Sequence, residues 1–494
     1  MTELTSPLQL SSNTVWRRDP RWLVFVGVGF ITALRILALA ISDADLFVDE
    51  AQYWLWGQEL DWGYYSKPPL IGWLIRAVTD LAASDAEFWV RLPGPILHGV
   101  TALLLMGAAQ EVLPRAQAAV VALTYVTLPL VAVGSVLIST DSVLLPFWAA
   151  ALWLWLRQVP QPSAALALLM GLCLGLGMMS KYAALYFFVC GALVWICLPQ
   201  ARLKLSHLLI AFAGFGVAIA PNVIWNITHD LQTLHHTADN VDWVQPGKSP
   251  ELNFDKLLEF SLAQLAVMGP VLFLAYLAAV VQGFWRGGPL ARWLIGFSLP
   301  VLAIVCVQAL LSKAFANWAA MTYPAGVVLV VLYLWDQARW ILWAGIAVNL
   351  ALCLAVGVAA TQVTRWERGG GLLLDRYTGR AVMAEAVEKT AHDNGLSTIV
   401  ASSRHVLADL YYYGRDSGLQ VYAAPYKGPT PHYYAQKHKL PMGLSGDVLF
   451  IAHADHAPCD EARLIHFLPP QDGAYNDQNL AFFVLPSRCL EDRK

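Results

Sequence analysis

The stretch DEAQYWLWGQELDWGYYSKPPL, residues 49–70, decides how the rest of the chain is interpreted. It follows an apolar segment, so we expect it to lie just outside a membrane. Two adjacent acids, Asp49 and Glu50, precede several tryptophans and tyrosines, and Lys67 stands before a double proline. Carboxylates, interfacial aromatic rings and a fixed cation at the water–lipid boundary suit chemistry on a substrate with a lipid tail and a charged head. A linker would need none of them.

The composition places the chain among membrane proteins. Of its 494 residues, 57% are apolar and 14% are charged, which is far from a soluble average and typical of a polytopic membrane protein. The formal net charge of −3 gives no reason to expect a nucleic-acid partner. Residues 1–20 are polar and lead directly into an apolar segment, so we expect no separate signal peptide.

Long apolar segments recur along the first part of the chain. A helix needs roughly 20 apolar residues to cross a bilayer, and we predict about eleven such spans. They lie near residues 21–42, 92–110, 117–134, 142–156, 163–180, 182–198, 207–225, 258–283, 290–311, 319–335 and 340–361. The predicted fold is a polytopic α-helical transmembrane domain (1–361) with amphipathic helices in its first outer loop (43–91), followed by a small α/β domain (362–494).

Basic residues indicate the orientation of these spans. Lys and Arg concentrate in the cytoplasmic loops of membrane proteins, and here they occupy the N-terminus and every second loop. These residues are Arg17, Arg18, Arg21, Arg115, Arg157, Arg202, Lys204, Arg286, Arg292 and Arg339. We therefore expect a cytoplasmic N-terminus, with the acidic first outer loop and the C-terminal domain on the outer side of the membrane.

The C-terminal residues have the pattern of a small α/β domain. A helix is predicted over 381–392, and residues 369–371, all glycine, predict a flexible hinge. Short apolar runs bounded by turns predict strands at 397–401, 419–423, 447–452 and 480–484.

Two cysteines in this domain, Cys459 and Cys489, are either a disulfide or two thiols, and the sequence favours neither alternative. The spacing of His453, His456 and Cys459 suits zinc, but no second Cys or His pair completes a motif. We predict no metal site and no cofactor, while the sequence leaves metal dependence open.

Carboxylates at the outer ends of apolar segments are the candidates for catalysis. Asp49 and Glu50 follow the first span, where an ionised carboxylate can act as a general base toward a hydroxyl. The alternative is an ordinary helix N-terminus, which acidic residues favour. Asp141 lies at the edge of another apolar segment on the same side, and this second acid favours the catalytic interpretation. The alternative for Asp141 is an N-cap of the span that follows.

Cations accompany these acids as candidate substrate-binding residues. Lys67 precedes two prolines that restrict the backbone around it, so it suits a fixed charge for a phosphate. The alternative is a lysine that snorkels at the interface. Arg35 lies within the first span, where a charge normally faces a cavity or a partner. Arg91 and Lys181 add positive charge at the outer face.

Polar side chains in outer loops complete the candidate site. Residues 221–236 and 312–318 are rich in the amide, indole and imidazole groups that bind sugar hydroxyls, although such groups are equally common as interface anchors. The candidates are Tyr65, Asn226, His235, His236, Lys313 and Asn317.

Taken together, these motifs resemble a known family. The Asp-Glu pair, the Lys-Pro-Pro at 67–69, the Arg-Leu-Pro at 91–93 and Asp141 resemble the GT-C glycosyltransferases, and more narrowly families 39 and 83, which include relatives of protein O-mannosyltransferases and of aminoarabinose transferase. PNVIWN with its His-His, and KAFANW, look most like the bacterial subgroup of lipid A and core galacturonosyltransferases. The resemblance covers roughly residues 20–330.

The resemblance implies a mechanism. A polyprenyl-phosphate sugar enters from the outer leaflet among the membrane lipids, an acceptor hydroxyl attacks its anomeric carbon with inversion, and polyprenyl phosphate leaves. Asp49 matches the family's general base, and Asp141 matches the second acid, which positions acceptor or base. Lys67 matches the lysine that binds the donor phosphate, and Lys181 stands where relatives also carry a lysine. The expected acceptor is a hydroxyl or phosphate of lipid A, lipopolysaccharide or another envelope glycan; the alternative is a protein hydroxyl.

One position departs from the family pattern. Aminoarabinose transferases tend to carry an arginine shortly after the acidic pair, in a DE-x-R pattern, and this chain has Gln52 there, which argues against an aminoarabinose donor. Outside the enzyme class, a transporter of lipid-linked sugars predicts charges at the bilayer midplane and paired halves. A scaffold protein predicts tolerance of Asp49→Asn. The gathering of charges at the outer face favours the enzyme.

Overall fold

The structure, a computed structural model, describes residues 21–241, 252–368, 371–453, 459–469, 471–476 and 478–491. Arg17, Arg18, His456 and two glycines of the predicted hinge, Gly369 and Gly370, lie outside these residues. The helices are α1 (Arg21–Ala40), α2 (Val48–Gln58), α3 (Leu70–Ala82), α4 (Glu87–Arg91), α5 (Pro93–Gln110), α6 (Arg115–Val126), α7 (Pro129–Val136), α8 (Thr140–Gln158), α9 (Ala164–Ser180), α10 (Leu185–Cys197), α11 (Leu205–Thr228), α12 (Gln232–Val241), α13 (Phe254–Val267), α14 (Pro270–Arg286), α15 (Pro289–Gly296), α16 (Leu299–Leu311), α17 (Tyr323–Gln337), α18 (Arg339–Ala360), α19 (Arg380–Asp393), α20 (Arg404–Tyr413), α21 (Tyr433–Lys437) and α22 (Arg488–Glu491). The strands are β1 (Glu367–Arg368), β2 (Gly371–Leu372), β3 (Thr398–Ala401), β4 (Gln420–Ala423), β5 (Asp447–His453), β6 (Arg463–Phe467) and β7 (Leu480–Pro486).

Two compact units share the chain. The first contains the chain through Ala40, Lys67–Ile71 and Arg91–Val358, and the second contains Ile41–Ser66, Gly72–Val90 and the chain from Ala359 onward. The second unit therefore resumes close to the boundary predicted at residue 362. It also takes up most of the first outer loop, which the prediction had assigned to the transmembrane part.

Every predicted apolar segment is helical. Six helices in the described part of the chain are long and apolar enough to cross a membrane alone: Trp22–Ala40, Glu87–Gln110, Leu205–Thr228, Pro289–Leu311, Ala316–Gln337 and Arg339–Ala360. The number is eight if each of two bent helix pairs is counted as one span. α9 and α10, with 17 and 13 residues, are shorter than a bilayer requires. The fold is that of a polytopic helical membrane protein, as predicted, while the number of eleven spans stays a prediction.

Two bent helix pairs lie where single spans were predicted. α6 and α7 meet at 53°, and α13 and α14 meet at 111°. Each second helix begins with a proline, Pro129 or Pro270, which lacks an N–H and disfavours helical backbone in the residue before it. Gly269 also takes a φ of +89°. The spans predicted over 117–134 and over 258–283 therefore stay predictions: each apolar segment is present, but its helical backbone is interrupted.

Close backbone packing joins α9 to α11 in the first unit. A Cβ on Gly171 would lie 1.9 Å from the carbonyl oxygen of Ala211, so only glycine allows this approach. Small residues at helix contacts are the usual way in which membrane helices come close, because lipid supplies no hydrophobic driving force between them.

A five-stranded mixed sheet forms the core of the C-terminal part of the second unit. Its order is β4-β3-β5-β7-β6; β3 pairs in parallel with β4 and β5, and β7 pairs antiparallel with β5 and β6. The structure confirms the predicted helix, as α19, and the predicted strands, as β3, β4, β5 and β7. β6 was missed because it is a largely exposed edge strand without an apolar run.

The two tail cysteines form a disulfide. Cys459, in the loop after β5, is bonded to Cys489 in α22, with their Cα atoms 6.0 Å apart. Cys489 packs against the sheet core beside Phe450 and Phe483. The disulfide alternative is therefore confirmed, and Cys459 is not a free zinc ligand.

Two helices of the first outer loop differ in character. α3 is amphipathic as predicted, with Ile75 and Thr79 buried on one face and Asp80 exposed on the other. α2 is buried along almost its whole length. Within the second unit, α2 packs on α20, where Trp54 meets Tyr412 edge to face at 5.0 Å.

Candidate active site

Asp49 lies in the first turn of α2 and is held by an arginine from the C-terminal part of the second unit. Arg404 Nη2 donates to Asp49 Oδ1 at 2.5 Å, and Arg404 Nε donates to Gln52 Oε1 at 2.9 Å. The side chain of Asp49 is 46% exposed. None of the described groups donates to its second oxygen, Oδ2. Asp49 therefore offers one positioned, accessible carboxylate oxygen, which is what a general base requires.

Arg404 was not among the site residues predicted from the sequence. Burial lowers the pKa of Arg404, but Asp49 outweighs burial and raises it above its usual value, so the guanidinium is a permanent cation. The neutral Gln52 occupies the position at which aminoarabinose transferases tend to carry an arginine, and α20 supplies the guanidinium beside it. Arg404 is separated from Asp49 by 355 residues, so no local pattern could have found it.

Glu50 has a different environment from its neighbour. Its side chain is buried, and its Oε2 accepts the N–H of Phe47, the residue before α2, at 2.9 Å. A carboxylate in the first turn that bonds the N-terminal backbone stabilises the start of a helix. This contact matches the helix-terminus alternative for Glu50, and its catalytic role stays a prediction.

Asp141, Lys181 and Asn317 form a polar cluster in the first unit. Lys181 Nζ donates to both oxygens of Asp141 at 2.7 and 2.8 Å, and Asn317 Nδ2 donates to Oδ2 at 2.7 Å. Asp141 is almost completely buried. Asp141 is not the N-cap of α8, the alternative considered for it, because Ser139 caps α8 by accepting the N–H of Ser142. With both oxygens engaged, Asp141 is suited to hold Lys181 and Asn317 rather than to take a proton.

A second polar group in the first unit surrounds Asn226. Tyr182 donates its hydroxyl proton to Asn222 at 2.9 Å, and Asn226 Nδ2 donates to Tyr182 and to the carbonyl of Asn222. Asn226 Oδ1 is buried, and no described group donates to it. Buried amide oxygens normally have a partner, so this oxygen can accept a hydroxyl. The structure thus brings Asn226 together with Tyr182, which directly follows Lys181.

Arg35 donates a hydrogen bond to a backbone carbonyl at the break between α6 and α7. Its Nη2 donates at 2.6 Å to the carbonyl of Val126, the last residue of α6, and Cys353 Sγ donates to the carbonyl of Thr127 at 3.1 Å. Carbonyls at a helix end require partners inside a membrane. These contacts give Arg35 a structural role, and substrate binding by Arg35 stays a prediction.

The remaining candidates differ in exposure. Arg91 is buried and Lys67 is half-buried, while His235 and Lys313 are exposed and His236 is partly so. In the second unit, the hydroxyl of Tyr65 donates to the carbonyl of Thr430 at 2.7 Å. Binding of substrate by these six residues stays a prediction. Among the described residues, no group of three or more His, Cys, Asp or Glu side chains is arranged to hold a metal ion.

Comparison with known proteins identifies relatives. The profile of the dolichyl-phosphate-mannose-protein mannosyltransferase family matches residues 66–225. The lipid A galacturonosyltransferase RgtD of Rhizobium johnstonii is 36% identical over 485 residues, which cover 96% of this chain and 99% of that protein. The lipopolysaccharide core galacturonosyltransferase RgtA of the same organism is 31% identical over 199 residues, 39% of each chain.

A solved structure agrees with the fold. ArnT from Cupriavidus metallidurans bound to undecaprenyl phosphate superposes with a TM-score of 0.66 over 94% of this chain and 98% of that chain, at 12% identity. At that identity the similarity concerns the fold alone. The near full-length relative decides the family and confirms the resemblance seen in the sequence motifs: the chain is a membrane glycosyltransferase and belongs to the GT-C family, in the branch that contains the lipid A galacturonosyltransferase of Rhizobium johnstonii.

Proposed function

We propose that the protein transfers a galacturonosyl group from a polyprenyl phosphate to lipid A. The observation that carries this proposal is the 36% identity over nearly the full length of a lipid A galacturonosyltransferase. A polyprenyl phosphate as the donor lipid agrees with the undecaprenyl phosphate bound to the ArnT structure.

In the proposed reaction, an acceptor oxygen of lipid A attacks the anomeric carbon of the donor sugar. A new bond forms between that carbon and the acceptor oxygen, and the bond from the carbon to the phosphate oxygen breaks, with inversion. The electron pair leaves with polyprenyl phosphate, and the acceptor proton passes to Asp49. Oδ2 of Asp49 is suited to this role because it is accessible, whereas Glu50 is buried and caps α2.

Fixed cations supply the second part of the mechanism. Lys67, restrained by Pro68 and Pro69, neutralises the leaving phosphate in the proposal. Lys181 acts as a positioned cation, held by Asp141 in an orientation that needs no rearrangement during the reaction. Preorganised charge of this kind is usually the largest electrostatic contribution to catalysis.

We place the second unit, with Asp49, in the periplasm. The disulfide between Cys459 and Cys489 supports this side, because disulfides persist in oxidising compartments and are rare in the cytosol. The basic residues of alternate loops support the same orientation in an inner membrane.

The proposal is tested by mass spectrometry of lipid A from a deletion strain carrying wild type, Asp49→Asn or Asp80→Asn at equal membrane levels. Asp80 is the matched control, an exposed acid of the second unit that pairs with Arg76. We expect the mass of one hexuronic acid to be lost in the deletion strain, and to be restored by wild type and Asp80→Asn but not by Asp49→Asn.

Two results would contradict the proposal. Lipid A of unchanged mass in the deletion strain would reject lipid A as acceptor and direct the search to protein hydroxyls, which the mannosyltransferase profile match favours. Full restoration by Asp49→Asn would reject Asp49 as the base.

A further inference from the structure

Two of the three nitrogens of the Arg404 guanidinium donate hydrogen bonds within the described chain. Nε is bonded to Gln52 and Nη2 to Asp49, and no acceptor within the described chain bonds Nη1. The side chain is 34% exposed, so Nη1 is open to a ligand.

The unbonded Nη1 of Arg404 is relevant to the reaction because the proposed donor sugar is negatively charged. A uronic acid carries a carboxylate on its ring, and a general base that is itself a carboxylate repels it. A guanidinium bonded to the base on one side and to the sugar carboxylate on the other removes that repulsion. Gln52 fixes the plane of the guanidinium through Nε, and such a planar fork recognises carboxylates better than a lysine does.

Two further arginines, Arg376 and Arg380, lie close enough to the start of α20 to act on His405. His405, the next residue after Arg404, has its pKa lowered by burial and then by Arg380, Arg404 and Arg376, against the opposing effect of Asp49. Arg380 is paired with the buried Asp409 at 3.0 Å, so Arg404 is the cation that bonds Asp49 directly.

We propose that Arg404 determines the specificity for the donor sugar: Nη2 holds Asp49, while Nη1 binds the carboxylate of the uronosyl group. This inference rests on the proposed function and extends it from the reaction to the choice of sugar. Arg404 contacts substrate in this arrangement, in addition to positioning Asp49.

The test compares two donors that differ at one group. Purified full-length protein in detergent is given lipid A with undecaprenyl-phosphate galacturonate or undecaprenyl-phosphate galactose, which has a hydroxymethyl group in place of the carboxylate. The variants are Arg404→Gln and Arg404→Lys. The control is Arg415→Gln. Arg415 is similarly exposed, bonds the carbonyl of Tyr412 and its neighbour Asp416, and lies over the rings of Tyr412 and Trp54. Within the described chain it has no hydrogen bond or ion pair to Asp49.

We expect wild type and Arg415→Gln to prefer the galacturonosyl donor. Arg404→Gln should lower the ratio of kcat/KM for the galacturonosyl donor to that for the galactosyl donor by roughly 10- to 100-fold, the usual effect of one charge-assisted hydrogen bond. Arg404→Lys should retain part of the preference. An equal loss with both donors would show that Arg404 acts on Asp49 alone and would overturn the inference.

A binding measurement covers the case in which Arg404→Gln abolishes turnover. In an Asp49→Asn background, Arg404→Gln should weaken binding of the galacturonosyl donor by roughly 10-fold or more relative to the galactosyl donor. Equal weakening of both donors, or none, would overturn the inference. Wild type that transfers galactose but not galacturonate, or neither sugar, would instead reject the proposed function, and the inference would fall with it.

Discussion

Asp141→Asn should destabilise the first unit by more than the loss of one hydrogen bond. The substitution leaves the ammonium of Lys181 without its counter-charge, in a site where the two side chains are 7% and 16% exposed. Removing one partner of a buried ion pair costs about 3–5 kcal/mol. Because Lys181 keeps some contact with solvent, we expect a loss near the lower limit, about 3 kcal/mol in the free energy of unfolding.

A double-mutant cycle separates the pair from other effects of each substitution. Lys181→Met removes the ammonium and keeps most of the apolar chain, so Asp141→Asn combined with Lys181→Met should cost less than the sum of the two single losses. We expect a coupling energy of about 2 kcal/mol. The assay is denaturant unfolding of the purified full-length protein in one detergent, monitored by tryptophan fluorescence. The m-value, which is the dependence of the free energy of unfolding on denaturant concentration, must be the same for all variants.

The exposed pair Arg76–Asp80 provides the control. Its side chains are 37% and 57% exposed at a distance of 2.8 Å, so the same cycle should give a coupling of less than about 0.5 kcal/mol. Additive losses at Asp141 and Lys181 would refute the reasoning, because they would show that Asp141 does not hold Lys181 in place.

Three further predictions concern stability. Cys489→Ser should lower the free energy of unfolding of the second unit by about 3–4 kcal/mol, because the disulfide closes a loop of 30 residues; reductant should then lower the unfolding midpoint of wild type but not of the variant. Burial lowers the pKa of His432, which caps α21 as a neutral ring, so the unfolded chain takes up the additional proton and stability should fall as the pH drops below about 6.5. His432→Asn should make that decrease shallower in unfolding curves measured between pH 7 and 5. Gly171→Ala should cost about 1–3 kcal/mol because its methyl group meets Ala211. Gly216→Ala, with open space around it inside α11, should not lower the unfolding midpoint.

Local patterns predicted the elements of the fold well. Each apolar segment became helix, and the runs around Ile399 and Phe450 became strands, because hydrophobic content and turn residues act over a few neighbouring positions. The breaks before Pro129 and Pro270 were missed although both prolines are visible in the sequence. Proline is tolerated inside some helices of this chain, such as Pro146 in α8 and Pro221 in α11, so its presence alone does not separate a break from a continuous span.

The acids of the candidate site were predicted from the sequence, but most of their partners were not, because local sequence does not contain that information. Asp49 and Asp141 are recognisable because an acid at the end of an apolar segment is conspicuous locally. The partners that decide what each acid can do are distant: Arg404 lies 355 residues from Asp49, and Asn317 lies 176 residues from Asp141. No spacing rule connects positions so far apart.

The sequence by itself determined that this chain is a multi-pass membrane glycosyltransferase with acids and cations at the ends of its spans, because apolar runs, turns and family motifs are written in neighbouring residues. Only the tertiary structure decided that Cys459 and Cys489 are bonded, that Asp141 holds Lys181, and that Arg404 stands beside Asp49. Each of these outcomes depends on a contact between a side chain and a specific partner, and such partners are set by how the helices and the sheet pack.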